Sequence, residues 1–181
     1  MDEKSMEEIM ETLDGLYDDL DEIPRLAFEI YRQYPPRVLV EHDSRAAASC
    51  IYCHMVAETE RRWMGRRGIV QLDIRGLRVW LIGDVAVLRW KKMDEDGRSR
   101  NYPTKQARDY DFGEPLPGLP PPAVRLSAGY LLDPTQTEFI RSQIAKPAGS
   151  GTEWCAAIVP SRETTLGEKR WHDVTRQHQM G

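Results

Sequence analysis

The chain has 181 residues, 40% of them hydrophobic and 8% aromatic, with 30% charged residues that leave a net charge of -4. That is enough apolar material and length for a sizeable core, which argues against wholesale disorder, and the balance of charge argues against a uniformly basic nucleic-acid binder. The longest apolar run falls far short of a membrane span, and the acidic N-terminus is unlike a signal peptide, so the expected location is cytoplasmic.

Residues 1 to 23 carry ten Asp and Glu against the single Lys4. Ile9, Leu13, Leu16 and Leu20 recur at helical spacing, which predicts an amphipathic helix weakened at Gly15, its carboxylates outward. Asp21 and Pro24 suit the cap and first turn of a second helix through Leu26, Ala27, Ile30 and Tyr31, stopped at Tyr34-Pro35-Pro36. The segment Arg37 to His42 reads as a short strand. Asp43 or Ser44 then caps a helix to about Met64, with Ala47, Ile51 and Met55 on its buried face, Arg61 and Arg62 at its C-terminus and Gly65 beyond it.

The stretch from Gly68 to Asn101 organises the rest. Period-2 alternation on either side of Gly76 and Gly83-Asp84 predicts consecutive antiparallel hairpins. A polar loop around Asp96-Gly97 follows, then a brief helix from Lys105 to Tyr110 capped by Thr104. The sequence EPLPGLPPP, 114 to 122, can be neither a central strand nor a stable helix. It fits a covering loop pegged by Leu116 and Leu119, or a polyproline ligand for an aromatic groove. Strands are expected over Val124 to Leu132, Thr137 to Ala145 and Glu153 to Val159, and a polar, flexible tail after Pro160. The fold class is therefore α+β: N-terminal helices packed on an antiparallel sheet of five or six strands with a Pro-rich crossover. The expected divisions are an acidic helical segment over 1–36, a core over 37–159 and a tail over 160–181.

No strong catalytic signature is present. Cys50 and Cys53 have CxxC spacing followed by His54, yet they fall inside a predicted helix and have no second half-site, so small core cysteines are expected rather than a metal or redox centre. Glu41-His42-Asp43 reads as a strand-to-helix junction with Asp43 capping and His42 at the surface. A metal-dependent nuclease or hydrolase would need Asp73, Asp84 and Lys91 or Lys92 to converge, and Asp84 already has a local reason to stand in a turn. There is no Gly-rich phosphate loop before a helix, no Walker lysine, no HExxH and no serine elbow. Catalysis is left undecided, and no cofactor or metal is assigned.

Charge distribution says more than its total. Between Arg61 and Arg100 eleven Arg and Lys face five Asp and Glu. The candidate macromolecule-binding residues are Arg89, Trp90, Lys91, Lys92, Arg98, Arg100 and Tyr102, with Trp80 nearby. The leading expectation is a non-catalytic cytoplasmic module, regulatory or adaptor in role, that binds a protein partner through this set. A nucleic-acid-binding protein using the same cations for phosphates and the aromatics for base stacking is the alternative. A third possibility is that the acidic N-terminal segment folds back over the basic face as a clasp.

Overall fold

A computed structural model describes residues 3–99, 103–120 and 123–176. Among these described residues four helices lead into a seven-stranded sheet, with a fifth helix between the third and fourth strands. Helix α1 (Met6–Thr12) begins with Ser5, whose hydroxyl accepts from the Glu8 amide while the Glu8 carboxylate accepts from the Ser5 amide. These reciprocal bonds satisfy two of the donors a helix start leaves open. A single 3-10 turn at Asp14–Leu16 separates α1 from α2 (Tyr17–Arg32). The second helix thus starts earlier than Asp21 and runs through Pro24. Proline removes one i→i−4 bond there, but Leu20, Ile23 and Ala27 are almost wholly buried on the same helix, and that packing offsets the lost bond.

Arg37 to Glu41 is helical, not extended: α3 spans Pro36–Glu41, with Pro36 in its first turn. Its fixed φ suits that position, and this local preference overrides the β-prone Val38-Leu39-Val40. Helix α4 (Ser44–Trp63) is capped as expected by Asp43, whose Oδ1 accepts from the Ala46 amide at 2.7 Å. Gly65 follows with φ +72°, a conformation glycine adopts without a Cβ penalty.

Strands β1 (Ile69–Ile74), β2 (Leu77–Ile82) and β3 (Ala86–Lys92) form the expected antiparallel run. Strand β4 (Val124–Leu132) then lies parallel to β3, pairing Ala86 with Val124 through Lys92 with Tyr130. This corrects the expectation of a wholly antiparallel sheet. The connection over 93–123 is long enough to carry the chain from the Lys92 end of β3 back to its Ala86 end, and it carries α5 (Lys105–Asp111), capped by Thr104. Strands β5 (Phe139–Ala148) and β6 (Gly151–Ile158) complete a meander. A short strand β7 (Trp171–Asp173) pairs with β6, so the segment read as tail supplies one edge, and Trp171 is buried. The sheet is thus mixed, ordered β1 to β7 without permutation.

Strand alternation gives the sheet two different faces. On one, Trp80, Leu88, Trp90, Leu126, Tyr130, Ile144 and Trp154 pack with Ile9, Leu13, Leu20, Ile23, Ile51, Met55 and Trp63 of the helices in the largest buried cluster. On the other, Val79, Val87 and Ile74 pack with Tyr110 of α5 and Leu116, with Leu119 alongside. Met93, Ala145 and Cys155 form a small third cluster. No helix among the described residues is long and apolar enough to cross a membrane.

Candidate functional site

The second face carries a cleft of about 300 Å³. Its floor is Arg89 and Lys91 of β3 with Ser127 of β4; Arg108 and Asp111 of α5 stand on one side, and loop 97–99 with the β5–β6 turn on the other. Residues two apart on a strand share a face, so β3 sends Arg89 and Lys91 into the cleft. Trp90 and Lys92 point toward the helices. Trp90 is buried among Trp63 and its neighbours, and the Lys92 amine donates to Ser44 Oγ and Gln136 Oε1. The expected rim of consecutive cations and aromatics is therefore divided by the sheet.

Arg89 is a fixed cation. It is only 3% exposed, donates from Nε to Ser127 Oγ at 2.9 Å, and forms an ion pair through Nη2 with Asp111. Its guanidinium also lies 4.6 Å from the centroid of the Tyr110 ring. The Tyr110 hydroxyl donates toward the carbonyls of Val87 and Leu126 and accepts from the Leu126 amide, so α5 is pinned over the β3–β4 seam. Arg125 adds bonds to the carbonyls of Asp109 and Glu114, at 2.8 and 2.6 Å. Burial pushes the Asp111 carboxyl up against the opposing pull of Arg89.

Arg98 belongs to a tight loop. Its guanidinium meets Asp96 at 2.9 Å and Asp94 at 3.5 Å, while Asp94 Oδ1 accepts from the amides of Asp96 and Arg98. Gly97, with φ +78°, lets this loop lie on the sheet: a Cβ there would stand 2.7 Å from that of Ala145. Arg100 and Tyr102 lie outside the described residues.

Lys91 is different. Its amine makes no hydrogen bond or ion pair among the described residues, and burial, then repulsion from Arg89, pushes it down to about 8 against the attraction of Asp111. Arg108, exposed at the cleft's edge, likewise has no side-chain hydrogen bond or ion pair among the described residues. Phe112, 61% exposed, completes that edge. Arg108, Asp111 and Ser127 were not picked out by sequence; the signal available was the alternation of β3, which groups Arg89 with Lys91 and implies a partner for a buried arginine on whatever covers that face.

The other candidate groups do not converge on this cleft. Asp73 accepts from the Gly76 amide in the β1–β2 turn, and Asp84 lies in the β2–β3 turn. These turns close opposite ends of β2, roughly 20 Å apart at the rise of a six-residue strand, so the nuclease-type trio with Lys92 is not assembled. No group of three or more His, Cys, Asp or Glu among the described residues is placed to hold a metal ion. His42 is half-buried, stacked on Tyr31 and bonded to its hydroxyl, and His54 Nε2 lies 2.6 Å from the Tyr34 hydroxyl. Cys53 is exposed and Cys50 half-buried, which corrects their reading as core cysteines; Cys155 alone is buried. The carboxylates of the N-terminal segment pair elsewhere than with the basic cleft: Asp19 with Arg62 and Arg66, Glu22 with Arg62, Asp18 with Arg170, Glu7 with Lys169. No clasp over Arg89 and Lys91 forms from them.

Comparison with known proteins finds no matching family, no matching curated protein and no matching solved structure.

Proposed function

We propose that this protein is a non-catalytic binding module, regulatory or adaptor in role, that engages a protein partner through the basic cleft on the second face of its sheet. One observation carries the reading: Lys91 is half-buried in a cleft and makes no hydrogen bond or ion pair among the described residues, the nearby Asp111 carboxylate that attracts it being held by Arg89. Desolvating an amine without a partner costs stability. A chain that keeps such a group beside a second unmatched cation, Arg108, has a use for it that an anionic partner would fulfil. Phe112 gives the same edge an apolar contact, the composition of an interface centre with a polar surround. Trp80 and Trp90 are buried in the helical cluster, out of reach of bases, which favours a protein partner over single-stranded nucleic acid.

In this proposal Arg89 holds the cleft's shape, Lys91 and Arg108 meet the partner, and Arg98 forms the lip; Arg100 and Tyr102, outside the described residues, remain candidate binding residues. Trp90 and Lys92 support β3 from behind. The Pro-rich stretch acts as a cover of the second face through Leu116 and Leu119, and the working compartment is the cytoplasm.

The test is affinity purification from the native host with the full chain and with the double variant Lys91→Met, Arg108→Glu, half of each sample treated with nuclease. A protein retained by the unaltered chain, insensitive to nuclease and lost with the variant, is the expected result. Identical proteins on both baits, or loss of the partner on nuclease treatment, would overturn the proposal.

A further inference from the structure

We infer that the cleft receives a phosphate monoester, carried as a phosphorylated serine or threonine on the partner. This deepens the reading of the cleft as a protein-binding site and rests on it.

The argument is a count of charges by position. Of the cations lining the cleft, Arg89 is matched by Asp111, and Arg98 by Asp94 and Asp96. Lys91 and Arg108 make no hydrogen bond or ion pair among the described residues, and Asp111, which attracts Lys91, is in contact with Arg89, so two cations remain without a contacting carboxylate. A phosphomonoester carries about −1.5 to −2 near pH 7 and offers three acceptor oxygens, which balances both. A carboxylate or a phosphodiester carries one charge and leaves one cation unmet.

Neutral donors fit the same ligand. Ser127 Oγ accepts from Arg89 Nε, so its own proton points away from that bond and has no acceptor among the described residues. Ser99 and Ser150 also line the cleft, and neither hydroxyl has a partner among the described residues. Oxyanions are bound in this way, by one or two cations with several short hydroxyl or amide donors around them. At about 300 Å³ the space holds a phosphate head and the stem of one side chain. Phe112 at the mouth is placed to pack a neighbouring residue of the partner.

The groups facing Lys91 set the pH behaviour. They are Arg89 on its own strand and, from α5 and the loop, Asp111, Arg108 and Arg98. A bound dianion favours the charged amine, so binding takes up a proton and weakens as pH rises from 7 to 9.

The test uses the full chain and four probes: inorganic phosphate, the blocked tripeptide acetyl-Ala-phosphoserine-Ala-amide, the same peptide with glutamate, and a short oligonucleotide. Titration calorimetry with nuclear magnetic resonance shifts should show phosphate and phosphopeptide competing for one site, with the glutamate peptide at least tenfold weaker. Lys91→Met and Arg108→Gln should each weaken the phosphopeptide about tenfold, while Arg61→Gln, on exposed α4 surface, leaves it unchanged. Arg108 is exposed on a surface helix, so its variant tests the idea even if Lys91→Met alters the fold. Equal binding of the glutamate and phosphopeptides, or no shift of cleft residues by either, overturns the phosphate assignment; if the nuclease-insensitive partner is still captured, the protein-binding proposal stands without it. Displacement of phosphate by an oligonucleotide that binds more tightly than the phosphopeptide overturns both.

Discussion

Gly129 lies so close to Lys91 that a β-carbon on it would sit 1.7 Å from the Lys91 carbonyl oxygen. The two residues are register partners on the parallel seam of the sheet. No side-chain adjustment relieves that overlap, because the obstacle is backbone. Gly129→Ala should therefore cost at least the upper end of the ~1–3 kcal/mol typical of overpacking, read as a lower urea midpoint. An unchanged midpoint would mean the seam is looser than described.

Arg89 and Asp111 form a pair of which the arginine is buried and the aspartate only partly wet. Asp111→Asn leaves a buried guanidinium with weaker partners and should destabilise by roughly 3 kcal/mol, the usual cost of breaking such a pair. Arg89→Met with Asp111→Asn removes the stranded charge and should recover a large part. Chemical denaturation of the single and double variants gives the coupling directly; additive losses would deny that the pair acts as a unit.

Lys91 pays for its position with stability. Its folded pKa is depressed from 10.5 to about 8, so between those values the unfolded chain binds more protons and stability rises with pH. Replacing it with Met should stabilise the protein at pH 7 by about 1 kcal/mol or more, and the difference should shrink as pH climbs from 8 to 10.5. A variant less stable than the parent at pH 7 would show that Lys91 has an intramolecular partner after all.

The three cysteines should label in an order set by exposure and thiolate character. Cys53 is exposed and should react with iodoacetamide first. Burial pushes the Cys155 thiol up to about 12, and its labelling should follow global unfolding. Peptide mapping over time decides this, and early modification of Cys155 would contradict its place in the third cluster.

Much of the architecture was legible because local signals agreed with one another. Asp43 as cap, Thr104 as cap, Gly76 and Gly83-Asp84 as turns, and Leu116 with Leu119 as apolar anchors all stand where their chemistry suggests. What escaped depended on distant pairing. Whether β4 joins β3 parallel or antiparallel is settled by where the connection re-enters, which no short window contains. Trp171 finds β6 only once that strand exists to pair with it. At the site, Arg89 to Lys92 read as one basic-aromatic patch, although a strand's period of two separates them onto opposite faces. The acidic segment looked like a detachable cover, but Ile9, Leu13, Leu20 and Ile23 are core residues, and deleting residues 1 to 23 would unmake the fold before it uncovered any cation.

The Leu126 amide, on the parallel seam with β3, also lies within hydrogen-bond reach of the Tyr110 phenol. Solvent can take the amide hydrogen only when α5 lifts from the sheet, so the exchange rate of one backbone proton clocks the opening of the lid above Lys91. Any occupant that bridges Arg108 to Lys91 ties helix to strand and must slow that clock, leaving a record of binding at a residue it never touches.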